Sequence, residues 1–200
     1  MQVEWTPYEH QIMGLGALHV CGVDEAGRGP LAGPVYAAAV ILPADVQIEG
    51  LNDSKKLTEK KREALFPIIC ETSVSYSIAF ADEKEIDAYN ILQATYLAMR
   101  RAVEGLDVPA DYALIDGNRM PPLSIAGETI VKGDAVCQSI AAASVLAKVS
   151  RDRFMLEMDK KYPQYAFAKH KGYGTKDHYA ALRAFGPSPI HRLTFLKKMH

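Results

Sequence analysis

The chain has 200 residues, of which 48% are hydrophobic and 24% charged, with a formal net charge of −1. This composition excludes a mainly disordered chain, a collagen-like repeat and a disulfide scaffold. The longest apolar run, Val35 to Leu42, ends at Pro43 and is far shorter than the ~18 residues that span a bilayer. We therefore expect no membrane partner, and three widely spaced cysteines predict a cytoplasmic protein with reduced thiols.

Hydrophobic periodicity and turn residues predict an α/β domain with a helical C-terminal part. In chain order, the predicted elements are a helix at 7–15, strands at 19–23 and 35–42, a helix at 59–69, a strand at 74–80, a helix at 90–106, strands at 112–115 and 129–131, and helices at 138–162 and 176–185. Thr6, Pro7 and Glu9 predict a capping box with proline at the first helical position. The run at 35–42 is apolar throughout, which is typical of a strand covered on both faces.

Charge is distributed unevenly along this single predicted domain, 1–200. Residues 148–200, the helical part, carry 12 Lys and Arg against 4 Asp and Glu, whereas residues 1–147 carry 11 against 20. No repeat or linker separates a core of about 18–147 from this basic part. The basic quarter predicts either a polyanionic partner or a solvated helical surface, and charge alone favours neither.

Acidic residues follow three of the predicted strands. Asp24 and Glu25 follow the first strand, Asp116 the fourth and Asp134 the fifth. Residues just beyond strand ends converge on one edge of an α/β sheet, where four carboxylates repel each other unless a cation lies among them. Oxygen ligands suit Mg²⁺ or Mn²⁺, and two such ions ~4 Å apart hydrolyse phosphodiesters. Each acid alone is more often a turn or cap residue. The four together, with a basic end, favour a metal site.

Two loops carry groups that suit a nucleic acid. Gly27 and Gly29 flank Arg28 directly after the acidic pair, where backbone amides can donate to a phosphate or sugar hydroxyl and the arginine can pair with a phosphate. The segment 170–174 places an imidazole, a cation and an aromatic ring in one loop, which suits stacking beside phosphate contacts. Each signal is weak alone, because glycine turns and self-packed loops are common.

Seven segments of the chain carry a recognisable pattern when taken in order: residues 22–30, 52–56, 114–118, 131–134, 139–152, 167–173 and 191–192. Together they closely resemble the bacterial ribonuclease HII family. It implies a ribonuclease H-like fold, with a five-stranded mixed sheet flanked by helices and a helical C-terminal extension. It also implies an endonuclease that cleaves the RNA strand of RNA–DNA hybrids and incises 5′ to single ribonucleotides in duplex DNA. Such an enzyme leaves 5′-phosphate and 3′-hydroxyl ends and supports ribonucleotide removal from DNA.

The resemblance assigns roles residue by residue. The implied ligands of Mn²⁺ or Mg²⁺, with two ions during catalysis, are Asp24, Glu25, Asp116 and Asp134. Gly27, Arg28 and Gly29 match the segment that senses the 2′-hydroxyl, and Tyr173 matches the ring that stacks on the neighbouring sugar. The other expected substrate contacts are Ser54, Lys55, Lys148, His170 and Lys171. The basic quarter then becomes a surface that grips phosphates.

The expected partners are RNA–DNA hybrids and duplex DNA that contains ribonucleotides, bound by a monomer. We expect no clamp-binding tail after His200 and no counterpart of the additional N-terminal domain of ribonuclease HIII. Two alternatives remain at this stage: another two-metal nuclease on the same fold, such as a junction resolvase, and a non-catalytic hybrid-binding protein.

Overall fold

The computed structural model describes residues 4–197, which contain a five-stranded sheet in the order β3-β2-β1-β4-β5. The strands are β1 (Val20–Ala26), β2 (Val35–Ile41), β3 (Ser75–Ala81), β4 (Tyr112–Asp116) and β5 (Ala126–Ile130). Strands β1, β2 and β3 pair antiparallel, whereas β4 pairs parallel with both β1 and β5. The sheet is therefore mixed, as predicted.

Helices cover both faces of this sheet. They are α1 (Tyr8–Gly14), α2 (Glu59–Thr72), α3 (Glu83–Glu104), α4 (Gln138–Lys161), α5 (Phe167–His170), α6 (Lys176–Phe185) and α7 (Leu193–Leu196). The odd-numbered residues of β2 pack in one buried cluster with α3, whereas Ala38 and Val40 pack in another with α2 and α4. Because successive strand residues face opposite sides of a sheet, the unbroken apolar run of β2 reflects helices on both sides.

The C-terminal part is helical, as predicted, and it shares α4 with the core. This helix runs without interruption through the predicted division at 147–148. Among the described residues, no helix is long and apolar enough to cross a membrane. The thiols of Cys21, Cys70 and Cys137 are free. The predicted absence of a clamp-binding tail after His200 concerns a region outside the described residues.

Helix α3 differs from its prediction at the start. It begins at Glu83, where Asp82 and Glu85 form a capping box, and it is broken at Asn90, whose φ is 70°. The Asn90 Oδ1 atom accepts hydrogen bonds from the amides of Leu92 (3.0 Å) and Gln93 (3.2 Å). Asn90 thus caps the predicted helix, and the segment that precedes it was missed.

The predicted capping box of α1 is wrong. Pro7 occupies the N-cap position rather than the first turn, and no side chain caps this helix. The Glu9 carboxylate instead reaches the start of α4, where it accepts hydrogen bonds from the Ser139 amide (3.0 Å), the Ser139 hydroxyl (2.7 Å) and the Cys137 thiol (3.3 Å). Cys137, the N-cap residue of α4, provides no side-chain cap itself. Glu9 therefore caps α4 from another helix. Its negative charge also interacts favourably with the positive end of the α4 dipole.

Replacing Glu9 with Ala is expected to destabilise the protein by about 1–2 kcal/mol, because the first turn of α4 loses its acceptor and its compensating charge. A urea unfolding curve with an unchanged slope measures this loss. Glu49→Ala, at an exposed loop position, is the matched control. Equal midpoints for the two variants would contradict the capping role.

Candidate active site

Three aspartates meet at one edge of the sheet. Asp24 lies near the end of β1, Asp116 is the last residue of β4, and Asp134 lies in a short 3₁₀ turn after β5. Because β1, β4 and β5 run parallel, their carboxyl ends share this edge, as the strand-end argument predicted. One carboxylate oxygen from each aspartate lies within 4.8 Å of the other two. This spacing lets all three bind the same small cation.

Burial sets the electrostatics of this group. Asp24 is only 2% exposed. Burial raises the pKa of its carboxyl well above the ordinary value, and repulsion from Glu25 and Asp116 adds to the rise. Burial also raises the pKa of Asp134, which the Lys55 ammonium, 3.1 Å away, opposes. A divalent cation would relieve this repulsion, and the oxygen-only donor set suits Mg²⁺ or Mn²⁺.

Glu25 lies beside this group of three rather than within it. Its carboxylate pairs with the Arg28 guanidinium at 3.4 Å. Successive residues of a strand face opposite sides, and Glu25 accordingly lines a groove against α3, whereas Asp24 faces Ser144 on α4. The structure therefore brings together three of the four expected ligands, and a metal-binding role for Glu25 stays a prediction.

A cavity of about 230 Å³ joins Asp24, Glu25 and Asp116 to most of the expected substrate contacts. Its lining residues are Asp24, Glu25, Ala26, Gly27, Arg28, Gly29, Ser54, Lys55, Asp116, Ser144, Lys148 and Tyr173. Tyr173 is 44% exposed, and a Cβ atom placed on Gly29 would lie 3.7 Å from its ring. The glycine loop and the aromatic ring, which are distant in sequence, therefore face the same space.

Sequence reasoning missed Ser144. Its hydroxyl donates to Asp24, which opposes the rise in the pKa of that carboxyl, and it lies 2.8 Å from the buried hydroxyl of Ser54. Ser54 is thus placed to orient Ser144 more than to touch a substrate. The Lys148 ammonium, which also lines the cavity, donates to Asp152 at 2.6 Å.

His170 and Lys171 do not line this cavity, and their expected role as substrate contacts stays a prediction. His170 is 8% exposed, with its Nε2 atom 2.9 Å from the Tyr165 carbonyl and its Nδ1 atom accepting from the Gly172 amide. The Lys171 ammonium donates to the Ala168 carbonyl at 2.6 Å. Both side chains shape their own loop.

A chain of histidines fixes the backbone of Tyr173. The Ser188 amide donates to His191 Nδ1, so His191 donates through Nε2 to His178, whose Nδ1 donates to the Tyr173 carbonyl. Every ring nitrogen in this chain is used in the neutral form. Burial lowers the pKa of His178 and lowers that of His191 to about 4, so both rings stay uncharged at neutral pH. Local sequence patterns carried no signal for this network.

Part of the basic C-terminal quarter is engaged in contacts within the chain, and the phosphate-binding role of this quarter stays a prediction. Arg151 and Arg192 are 0% exposed and contact backbone carbonyls instead. Several of the remaining cations pair with acids of the same chain, including Lys148, Arg153, Lys160 and Lys169. Much of the excess positive charge therefore serves internal contacts.

Comparison with known proteins places the chain in a family. The family model for ribonuclease HII matches residues 21–199. The ribonuclease HII of Desulfitobacterium hafniense is 59% identical over 94% of this chain and 72% of its own length. That of Caldicellulosiruptor bescii is 53% identical over 96% and 93%. The crystal structure of ribonuclease H2 from Pyrococcus horikoshii OT3 matches with a TM-score of 0.73 and 28% identity, over 88% of this chain and 93% of that one.

These matches confirm the ribonuclease H-like fold and leave the junction resolvase and the non-catalytic binding protein without support. The cavity at the sheet edge holds the acidic and loop residues on which the resemblance rested. The chain belongs to the ribonuclease HII family and is a ribonuclease H enzyme.

Proposed function

We propose that this enzyme, which acts on RNA–DNA hybrids, also incises duplex DNA 5′ to a single embedded ribonucleotide, with two divalent metal ions at the acidic group. The observation that carries the proposal is the shared cavity, in which Asp24 and Asp116 lie beside the Gly27–Gly29 loop and the Tyr173 ring. When bound, a pair of Mg²⁺ or Mn²⁺ ions supplies activation of water and stabilisation of the leaving oxygen. Hydrolysis in this form leaves a 5′-phosphate and a 3′-hydroxyl.

The carboxylates of Asp24, Asp116 and Asp134 would hold the metal, with Glu25 as a fourth ligand. Arg28 is the group that now neutralises Glu25. A substrate phosphate competes for the same guanidinium, since arginine pairs well with both groups. Binding of the substrate strand would therefore release Glu25 from its ion pair with Arg28 and make its carboxylate available as a metal ligand.

The part of the cavity wall formed by the Gly27–Gly29 loop and Tyr173 suits the recognition of a ribose. Only the 2′-hydroxyl distinguishes RNA from DNA at a given sugar, and the Gly27–Gly29 loop offers backbone amides at this wall without side chains to block the approach. The exposed ring of Tyr173 lies next to Gly29, where it can stack on the sugar that follows the ribonucleotide. Lys55 and Lys148 border the same space and are proposed to position phosphates without reading bases.

All of these groups come from one chain, so we propose that a monomer is sufficient for activity. The free thiols agree with action in a reducing compartment. Chromosomal DNA that contains ribonucleotides is the corresponding substrate in the cytoplasm.

A single gel tests this function. Three duplexes are incubated with Mn²⁺ or Mg²⁺: an RNA–DNA hybrid, DNA with one ribonucleotide, and the matched all-DNA duplex. We expect cleavage of the first two, a cut 5′ to the ribonucleotide, an intact all-DNA duplex and loss of all activity with chelator. Cleavage of the all-DNA duplex, or cleavage of the hybrid alone, would overturn the proposal.

Replacing Tyr173 with Ala is expected to lower single-ribonucleotide incision about tenfold more than hybrid cleavage, because stacking of one aromatic ring on a nucleotide contributes about 1–3 kcal/mol. A long RNA strand can be cleaved at many positions that are not RNA–DNA junctions, so cleavage of the hybrid depends less on this contact. Initial rates on the two substrates measure the ratio. Tyr89→Ala, at an exposed position on α3, is the control. Equal losses on both substrates would count against stacking.

A further inference from the structure

Arg192 is bound to the loop that carries Gly27 and Gly29. Its three guanidinium nitrogens donate to the carbonyls of Gly27 (2.6 Å), Arg28 (2.9 Å) and Gly33 (2.8 Å). The residue lies after α6, 165 positions along the chain from Gly27. A planar fork of donors fits three carbonyls in fixed directions, which a single ammonium cannot do.

Arg151 supports the same loop from α4. It donates to the carbonyls of Ala32 (3.0 Å), Pro34 (3.1 Å) and Lys171 (3.0 Å), so one guanidinium joins the glycine loop to the Tyr173 loop. A Cβ atom on Gly27 would overlap the Arg151 side chain, and the φ of Gly27 is +97°. Gly27 is thus required both by its backbone conformation and by the arginine that passes beneath it.

Burial of two arginine side chains costs free energy, because each charged group loses its contact with water. Both are fully buried, and neither forms an ion pair with an acid in residues 4–197. Burial, with the nearby charge of Arg151, lowers the pKa of Arg192 to about 9, so it remains charged at neutral pH. Two like charges in one buried region are compensated here by six carbonyl dipoles.

The hydrogen bonds from Arg192 to the carbonyls of Gly27 and Arg28 also fix the direction of the amides in the same two peptide groups. In a trans peptide the carbonyl and the following amide point in opposite directions. Because the carbonyls of Gly27 and Arg28 point inward to Arg192, the amides of Arg28 and Gly29 point away from it. Neither amide has an acceptor within the described part of the chain, and both residues line the cavity. The buried charges also polarise these peptide groups, which strengthens their amides as donors.

We propose that Arg192 and Arg151 are positioning residues for sugar recognition. Arg192 holds the carbonyls of Gly27 and Arg28 inward so that the amides of Arg28 and Gly29 donate to the 2′-hydroxyl of the ribonucleotide. Arg151 supports Arg192 indirectly, because it fixes the carbonyls of Ala32 and Pro34 further along the same loop. This inference rests on the proposed function of the same cavity. It assigns part of the basic C-terminal quarter to substrate selectivity, exercised through the loop rather than through phosphate contacts.

A substrate pair separates positioning from simple stability. One duplex carries a single ribonucleotide, and the other carries a 2′-fluoro nucleotide at the same position, whose fluorine is a poor acceptor. Single-turnover cleavage of both is measured for the full chain and for Arg192→Lys. We expect the substitution to slow cleavage about tenfold on the ribonucleotide and less than about threefold on the 2′-fluoro duplex, because the contact it disturbs is already weak there. Arg153→Lys, an exposed position on α4 paired with Glu63, should leave both rates unchanged.

Equal losses on the two duplexes, or no loss, would overturn the inference. The unsubstituted enzyme distinguishes this failure from that of the proposed function: if it cuts the ribonucleotide duplex and not all-DNA, the function stands and only the positioning role falls. Assays run well below the melting midpoint of each variant. If Arg192→Lys does not fold, Arg151→Lys applies the same test from α4, with the same two results supporting or overturning the inference.

Discussion

Asp116→Asn is expected to lower hybrid cleavage by more than about 10³-fold while it raises the thermal stability of the enzyme in chelator. Asp116 is a proposed metal ligand, and an amide oxygen is a weaker ligand than a carboxylate. The same carboxylate raises the pKa of Asp24, Glu25 and Asp134 by repulsion. The variant keeps the oxygen that accepts from the Gly133 amide at 2.7 Å, so the backbone around the site should not change.

The sign of the stability effect follows from the direction of these pKa shifts. When folding raises the pKa of a carboxyl, the free energy of unfolding falls as the pH rises from the ordinary pKa to the raised one. Above the raised pKa the full loss of stability is present. Removing the charge of Asp116 should therefore help more at pH 8 than at pH 5. Differential scanning at both pH values and single-turnover cleavage measure the two effects. Asp107→Asn, at an exposed position, is the control. Activity within tenfold of the parent, or a lower melting temperature, would contradict the prediction.

Gly22→Ala is expected to destabilise the fold by about 3 kcal/mol, the upper part of the usual range for overpacking. Gly22 lies in β1 directly beneath the first turn of α4. A Cβ atom there would overlap the backbone of Ser139 and Ile140, and neither the central strand nor the helix can move without disturbing the core. Asp24 lies two residues further along β1, so the helix that carries Ser144 would be pushed away from the site.

Urea unfolding of the purified variant measures this loss. Gly14→Ala is the matched control, since no heavy atom lies within 4 Å of the added carbon. The control should be neutral or slightly stabilising, because alanine favours a helix over glycine. A loss below about 1 kcal/mol for Gly22→Ala would show that α4 can shift at little cost.

The sequence predicted those parts of the protein that depend on local pattern and on general rules of sheet topology. The apolar run of β2 indicated burial on both faces, and aspartates at strand ends indicated their meeting at one edge. The Asp82 and Glu85 pair, a visible capping box, was the available signal for the missed start of α3. The true partner of Glu9 carried no such signal, because Ser139 lies 130 residues away.

The roles of the charged residues near the C-terminus were the least predictable from sequence. A count of cations cannot distinguish an arginine that faces solvent from one that is surrounded by carbonyls, and Arg151 and Arg192 are of the second kind. The histidines illustrate the same limit, since His170 lies in a recognisable motif yet uses both ring nitrogens within its own loop. Such assignments depend on tertiary contacts between distant segments, which periodicity does not encode.

The long separation between Gly27 and Arg192 has a consequence for the order in which the enzyme matures during synthesis. All four proposed metal ligands lie within the first 134 residues, and α4, which packs against them, ends at Lys161, so the acidic edge can form before Arg192 is made. The carbonyls of Gly27 and Arg28 find their donor only at Arg192, 165 and 164 residues later. Contacts that span so much chain form late, because a large loop must close first. The ability to choose between sugars would thus be the last property that a newly made molecule acquires.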